Sequence, residues 1–162
     1  MTKVIIKKTN NNSHDEAWNL LNNILKEEYN TSIDEHQIIR NKFGKPSFID
    51  NFLYFNLSHS NNIIMCSISD NPIGCDIEQY REVSKSLLNK YHINNNIDFL
   101  YYYTKKESRV KKEGISIFTN KYKTIDELNN IYTNKIYIDQ KLYIYSIDSI
   151  DYINNNITIK II

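Results

Sequence analysis

Sharp turns are confined to few places in this chain, because its 162 residues include only three glycines and two prolines. Glycine and proline are the residues that most readily allow a backbone to turn sharply. Gly44 and Pro46 flank a lysine. Pro72 and Gly74 precede an acidic segment, and Gly114 follows a charged one. These five residues therefore mark the positions where we expect sharp turns.

Hydrophobic periodicity between those positions predicts an α+β fold. Helices are predicted at residues 14–29 with Ser13 as the N-cap, at 83–92 with a weaker pattern, and at 98–113 with Gly114 as the C-cap. Strands are predicted at 4–8, 53–57, 63–69, 73–78, 115–118, 135–138, 142–147 and 157–162, with 58–62 and 70–72 as connections. The order predicts a single domain, 1–162, made of two similar halves, 1–71 and 72–162, in a pseudo-twofold arrangement.

Composition limits the partners and the location of the protein. The formal net charge is +1, which gives no reason to expect nucleic acid or an anionic membrane as a partner. No segment approaches the roughly 20 apolar residues of a membrane span, and no signal-peptide pattern is visible. Cys66 and Cys75 lie in apolar runs and are expected to be small buried hydrophobes. We therefore expect a cytoplasmic protein.

Two carboxylates lie two residues apart in a predicted strand. Asp76 and Glu78 would point to the same face, about 6.6 Å apart, and Ile77 would point to the opposite face, into the core. Such a pair suits Mg²⁺, which is usually held by one or two carboxylates together with water and phosphate oxygens. The pattern is also common on solvated strand faces, so both interpretations stay open.

A carboxylate and an ammonium group share one face of the last predicted helix. Glu107 and Lys111 are four residues apart, which brings their side chains together. One interpretation is an exposed ion pair. The other makes Glu107 a metal ligand or a base, with Lys111 beside a phosphate group that gains charge during a reaction.

A histidine and a lysine could together bind an anion. His59 lies in a predicted Ser-His-Ser turn, where imidazole, hydroxyl and backbone N–H groups suit a phosphate. Lys45, between Gly44 and Pro46, could add a second cation. A Ser-His-Asp hydrolase is rejected, because Ser58 directly precedes His59 and no Gly-x-Ser-x-Gly elbow is present.

Four short blocks in a fixed order resemble the motifs of a known family. The family pattern reads Gly-Lys-Pro, Phe-Asn-x-Ser-His-Ser, Gly-x-Asp-x-Glu and Trp-(Thr/Ser)-x-Lys-Glu-(Ala/Ser)-x-x-Lys. The matching blocks here are residues 44–46, 55–60, 74–78 and 103–111. Each block is weak alone, but together they make the chain resemble the 4′-phosphopantetheinyl transferases, specifically the Sfp-type, two-halved branch.

The resemblance implies an Mg²⁺-dependent transferase. Its members move the phosphopantetheine arm of coenzyme A onto a serine of an acyl or peptidyl carrier protein and release adenosine 3′,5′-bisphosphate. It implies that Asp76, Glu78 and Glu107 hold Mg²⁺ on the coenzyme A pyrophosphate, so that Asp76 also contributes to binding coenzyme A. Glu107 would accept the proton of the carrier serine, and Lys111 would stabilise charge on the phosphate under attack.

The resemblance also assigns the nucleotide end of coenzyme A. Ser58 and His59 would bind its 3′-phosphate. Residues 43–48, centred on Lys45, would line the pocket for adenine and the 3′-phosphate. The four residues of this segment assigned to coenzyme A binding are Phe43, Gly44, Lys45 and Pro46.

The chain departs from the family pattern in places, and two rival interpretations stay open. Tyr103 replaces the tryptophan of the last block, and the N-terminal region has no clear match to the basic residues that bind the coenzyme A phosphates in the family. A relative that only binds coenzyme A or a carrier protein is one rival, and a Mg²⁺-dependent phosphodiesterase is another. A two-halved chain of this kind is expected to be a monomer.

Overall fold

Two sheets and two long helices form the framework of the protein. The computed structural model describes residues 1–162, apart from the side chain of Ile153. The strands are β1 Thr2–Lys8, β2 Ile38–Arg40, β3 Pro46–Phe48, β4 Tyr54–Ser60, β5 Ile63–Ser69, β6 Gly74–Gln79, β7 Tyr132–Ile138, β8 Lys141–Asp148 and β9 Ile157–Ile161. The α-helices are α1 Ser13–Tyr29, α2 Lys85–Lys90, α3 Asn96–Glu113 and α4 Ile150–Ile153, and short 3₁₀ turns occur at Ile33–Glu35 and Asp126–Leu128.

The first sheet has the strand order β4-β5-β1-β9 and carries α1 on one face. Its strands are antiparallel except for the pair formed by β1 and β9, which is parallel. Helix α1 begins where the Asn12 side chain accepts a hydrogen bond from the His14 backbone, and it ends at Asn30 in a left-handed conformation. Its apolar face contributes Leu21 and Leu25 to a core shared with Phe55 of β4.

The second sheet has the order β6-β8-β7 and carries α3. The helix is fixed to β8 by two hydroxyl side chains: Thr104 Oγ1 lies 2.8 Å from Ser146 Oγ, and Ser108 Oγ donates to Ser146 O at 3.1 Å. The helix ends at Gly114, which has a φ of +64°. This conformation is one that glycine adopts without strain.

The two sheets pack against each other around a second apolar core. That core joins Val4 and Ile6 of β1 and Met65 of β5 to Ile77 of β6 and Tyr145 of β8. The layers therefore run in the order α1, first sheet, second sheet, α3. Among the described helices, none combines the length and apolar character needed to cross a lipid bilayer.

The predicted mixture of helices and strands is confirmed, but several local predictions are wrong. Residues 58–60 continue β4 and do not form a turn, and the described residues 115–118 contain no strand. Asn12, not Ser13, caps α1. The helix predicted at 83–92 is limited to Lys85–Lys90. The short strands β2 and β3 and the helix α4 were not predicted.

The division into residues 1–71 and 72–162 stays a prediction. The last strand complicates it, because β9 pairs with β1 in the first sheet, with Ile159 opposite Val4. One strand from the second half of the chain therefore completes the sheet of the first half.

The start of β6 approaches α3 so closely that it has no room for a side chain. A Cβ atom at Gly74 would lie 1.9 Å from the Ser108 carbonyl oxygen and 2.6 Å from the Lys112 backbone nitrogen. We expect Gly74→Ala to lower the free energy of unfolding by about 3 kcal/mol, because the strand or helix must shift. Gly44→Ala is the comparison, since nothing lies within 4 Å of a Cβ there and only the strain of its φ of +84° remains, costing about 1 kcal/mol.

Urea unfolding of both variants measures this difference. A Gly74→Ala protein as stable as Gly44→Ala would contradict the close approach.

Candidate functional site

Polar side chains on alternate residues of β4 accept hydrogen bonds from the backbone of β6. The two strands lie at the edges of different sheets, so no backbone ladder joins them. The bonds join Asn56 Oδ1 to Cys75 N at 3.0 Å, Ser58 Oγ to Ile77 N at 3.3 Å and Ser60 Oγ to Gln79 N at 2.9 Å. We call these three contacts the side-chain ladder. It explains why the Asn-x-Ser-x-Ser spacing occurs at the centre of the second sequence block, since alternate strand residues share a face.

The side-chain ladder also positions the two strand carboxylates. The Ser58 hydroxyl donates to Asp76 Oδ1 at 2.8 Å, and the Ser60 hydroxyl lies 3.4 Å from Glu78 Oε2. Ile77, between the two acids, is buried in the core between the sheets, as predicted. Asp76 is almost fully buried, whereas Glu78 is partly exposed.

Helix α3 delivers an ammonium group to these carboxylates. Lys111 Nζ lies 2.6 Å from Asp76 Oδ1 and 3.1 Å from Ser58 Oγ. Glu107, one turn earlier on the same helix face, has Oε2 at 3.7 Å from Lys111 Nζ. The structure thus brings together Asp76, Glu107 and Lys111 from two separate sequence blocks, and Ser58 from a third.

Burial and neighbouring charges shift the pKa values in this cluster. Burial raises the pKa of Asp76 to about 7, Glu107 and Glu78 raise it as well, and Lys111 opposes them. Burial alone would lower the pKa of Lys111, but Asp76 and Glu107 hold it above its usual value. Burial and a hydrogen bond with Glu107 raise the pKa of Tyr103. Lys111 therefore stays protonated, and its charge stabilises the ionised form of Asp76.

One oxygen of the buried acid lacks a partner. Asp76 Oδ2 has no hydrogen-bond partner among the described residues. A buried carboxylate oxygen without a partner destabilises the folded protein unless a cation or a hydrogen-bond donor reaches it. Among the described side chains, no three His, Cys, Asp or Glu residues form a cluster able to hold a metal ion unaided. The metal-ligand set Asp76, Glu78 and Glu107 therefore stays a prediction.

The Gly-Lys-Pro block forms the end of a small hairpin that contacts the C-terminal end of α3. Asn41 Oδ1 accepts from the backbone N–H groups of Phe43 and Lys45. Asn41 Nδ2 donates to the Gly114 carbonyl at 2.6 Å, and Lys45 Nζ donates to the Lys112 carbonyl at 2.7 Å. Cations and donors are favoured at the free carbonyls of a helix C-terminus.

A pocket of about 230 Å³ lies where this hairpin meets α3. Its lining residues include the four hairpin residues predicted for coenzyme A binding, together with Lys111 of the carboxylate cluster. Ser58, His59 and Asp76, also predicted to bind coenzyme A, are not among its lining residues. The complete lining is Phe43, Gly44, Lys45, Pro46, Asn56, Leu57, Val110, Lys111, Gly114 and Ile115. The first and fourth sequence blocks therefore share one pocket.

Ser58 and His59 have different environments, as expected for neighbouring residues of a strand. Ser58 is buried, and its hydroxyl is engaged with Asp76 and Lys111. His59 is exposed and lies outside the lining of the pocket. Partial desolvation of its ring, followed by the charges of His14 and Lys111, lowers the pKa of His59.

Sequence reasoning missed three residues that organise the site. Asn56 and Ser60 belong to the side-chain ladder, and Asn41 orders the hairpin and ties it to α3. The alternation of polar residues at 56, 58 and 60 was a usable signal, because it is the period of a strand. Asn41 lies outside the four sequence blocks and gives no comparable signal.

Several curated proteins are similar to this chain. It is 33% identical over 92 residues to 4′-phosphopantetheinyl transferase gsp of Aneurinibacillus migulanus, a match that covers 49% of this chain and 38% of that protein. It is 28% identical over 109 residues to 4′-phosphopantetheinyl transferase ffp of Bacillus subtilis, and 25% identical over 109 residues to 4′-phosphopantetheinyl transferase Sfp of Bacillus subtilis strain 168. These two matches each cover 59% of this chain and 49% of the relative.

These relatives confirm the resemblance inferred from the four blocks. The chain matches about half or less of the length of each of them. No family model matches the chain.

The raised pKa of Asp76 has a consequence for stability. The folded protein keeps the proton of Asp76 to a higher pH than the unfolded chain does. The stability that this group contributes is therefore complete below pH 3.8 and declines as the pH rises to about 7. We expect the free energy of unfolding to fall between pH 5 and 7 more steeply in the natural protein than in Asp76→Asn, whose amide does not titrate. The difference is at most about 1.4 kcal/mol per pH unit for one proton.

Urea unfolding at pH 5, 6 and 7 without divalent cations checks this expectation. Parallel pH dependences in the two proteins would show that Asp76 keeps an ordinary pKa.

Proposed function

This chain is a relative of the Sfp-type 4′-phosphopantetheinyl transferases, and on that premise we propose that it transfers the phosphopantetheine arm of coenzyme A to a serine of an acyl or peptidyl carrier protein. The observation that carries the proposal is the position of Lys111. Its ammonium group contacts Asp76 and lies near Glu107, and its side chain also lines the pocket formed by the Gly-Lys-Pro hairpin. This combination suits a substrate that carries a pyrophosphate beside a nucleotide.

The transfer step assigns roles to Glu107 and Lys111. The serine oxygen of the carrier forms a bond to the phosphorus that bears the pantetheine arm, and the bond from that phosphorus to the bridging oxygen breaks. The leaving group is adenosine 3′,5′-bisphosphate. Glu107 accepts the serine proton, and Lys111 neutralises charge that develops on the phosphate oxygens.

The residues present fit a magnesium ion. Asp76 Oδ2 is buried and lacks a partner among the described residues, and burial leaves its carboxylate in need of a cation. Asp76, Glu78 and Glu107 would hold the ion. When bound, Mg²⁺ supplies charge neutralisation for the pyrophosphate. Ser58 and Lys111 hold Asp76 in place through hydrogen bonds to its Oδ1 atom.

The nucleotide end of coenzyme A is proposed to occupy the pocket beside residues 43–46. Phe43, half exposed at its edge, offers an apolar face to adenine. Lys45 lies within reach of an anion there, although its amine now donates to a helix carbonyl. His59 is the more available of the two residues predicted for the 3′-phosphate, because the Ser58 hydroxyl is engaged with Asp76.

We further propose that the two helix-on-sheet units are related by an approximate two-fold axis. Helix α1 packs on β4 and β5 much as α3 packs on β6 and β8. This arrangement would put the pocket and the carboxylate cluster between the units, as in the two-halved branch that the chain resembles.

A transfer assay tests the proposed function. The protein is mixed with coenzyme A, Mg²⁺ and an apo-carrier protein, and the carrier is weighed by mass spectrometry. We expect the mass of one phosphopantetheine arm to be added, and Glu107→Gln to lower kcat by about 10²–10⁴-fold through loss of the base. Glu113→Gln, on the same helix but outside the cluster, is the matched control and should retain activity.

Three results would count against transfer in different ways. Binding of coenzyme A without modification of any carrier favours a protein that only binds. Release of the bisphosphate without a carrier favours a phosphodiesterase. Equal activity of Glu107→Gln and Glu113→Gln would remove Glu107 from the mechanism.

Magnesium binding can be measured apart from activity. A cation present at about ten times its dissociation constant stabilises a protein by about 1.4 kcal/mol. For a domain of this size that corresponds to a rise in Tm of about 3–5 °C. We expect MgCl₂ to produce such a rise in the natural protein at pH 8, but not in Asp76→Asn.

Sodium chloride at equal ionic strength is the control for general salt effects. If MgCl₂ raises the Tm of Asp76→Asn as much as it raises that of the natural protein, this carboxylate does not hold the metal.

A further inference from the structure

A second, larger pocket of about 820 Å³ lies on another side of α3. Its walls come from α3, from residues 90–94 at and after the end of α2, and from residues 117–125 after α3. Its apolar surface includes Tyr91, Ile93, Tyr102, Ile117 and Phe118. Pockets of about 300–1,000 Å³ with mainly apolar walls are typical of small-molecule sites.

A buried cation faces this pocket. Lys106 lines it, yet the residue is only 6% exposed. Its Nζ atom lies 5.7 Å from the centre of the Tyr91 ring, and among the described residues no hydrogen bond or salt bridge reaches that Nζ atom. Burying an ammonium group without an anion is costly. Burial and the nearby Lys90 lower the pKa of Lys106, and the charge of Glu127 opposes them.

The rest of the lining adds positive charge to the pocket. Lys90 and Lys123 also line it, whereas Asp98 is the only carboxylate among its described lining residues. The Asp98 side chain already accepts a hydrogen bond from Asn95 Nδ2 at 2.7 Å. The pocket therefore combines apolar walls with an excess of cations, one of which is buried.

We propose that this pocket binds an amphipathic organic anion, a carboxylate carried on an apolar chain or ring, with Lys106 as its counter-ion. The apolar part contacts the walls that include Tyr102 and Ile117. The carboxylate meets the ammonium group of Lys106. Phe118, 91% exposed at the rim, becomes covered when the ligand is bound.

This site is separate from the candidate transferase site. The two pockets share no lining residue. Tyr102 and Lys106 are four residues apart on one side of α3, whereas Glu107 and Lys111 are four apart on another. The inference therefore does not depend on the proposed function.

Calorimetric titration with octanoate tests the proposal, and octanol serves as the uncharged ligand of equal chain length. We expect the natural protein to bind octanoate with a submillimolar Kd and octanol at least about tenfold more weakly. Lys106→Gln should weaken octanoate binding by about tenfold or more, because an ionic hydrogen bond is lost. Lys105→Gln is the matched control, since Lys105 is on the same helix but does not line the pocket.

Several outcomes would overturn the proposal. These are no octanoate binding by the natural protein at 10 mM, equal affinities for octanoate and octanol, or equal effects of the two lysine substitutions. Near-ultraviolet circular dichroism establishes that the variants are folded. If Lys106→Gln does not fold, Phe118→Ala provides the second test, since this exposed side chain can be removed without disturbing the core. Unchanged octanoate affinity in Phe118→Ala would then reject the site.

Discussion

The arrangement of the site depends on how two edge strands meet. An edge strand presents unpaired backbone N–H groups, which must be satisfied when they are buried. β6 is such a strand, and its buried donors are satisfied by the side chains of β4, which is the edge strand of the other sheet. Apolar packing alone would hold two sheets together without fixing how far one strand slides along the other. The side-chain ladder fixes that register, because each polar side chain meets one particular N–H group.

The same register determines which groups surround the buried acid. With Ser58 bonded to the backbone of Ile77, its hydroxyl proton can be donated to Asp76. The same hydroxyl oxygen also accepts a hydrogen bond from Lys111 Nζ. A shift of one residue would point Asp76 into the apolar core, where its charge would have no partner. Fold and candidate site are thus held by the same few hydrogen bonds.

The sequence predicted the parts of this structure that repeat regularly. Helix α3 has apolar residues at helical spacing, whereas β5 is a mostly apolar run that is buried along its whole length. The predicted bounds of β5 match the observed ones. The alternation that puts Asp76 and Glu78 on one face, with Ile77 in the core, was also readable. The contact between Asp76 and Lys111 was inferred only through the family resemblance, since no local rule brings residues 35 positions apart together.

The errors have identifiable physical causes. Ser58, His59 and Ser60 are not among the residue types enriched in strands. The hydroxyl groups of Ser58 and Ser60 nevertheless accept hydrogen bonds from the backbone of β6, and β4 extends through all three residues. Residues 115–118 have the composition of a strand, yet Ile117 and Phe118 contribute to the wall of a pocket. The three-residue strands β2 and β3 are too short to show a period.

The hydrogen bond from Lys45 to the last turn of α3 connects the hairpin pocket to the helix turn that carries Lys111. That amine is held by the Lys112 carbonyl, next in sequence to Lys111. An anion that draws the amine away must first release the helix end, and the released carbonyl then needs a new donor. An anion bound in the hairpin pocket would therefore affect the turn of helix that carries Lys111. A single hydrogen bond thus connects the hairpin pocket with the helix turn that positions the charged cluster.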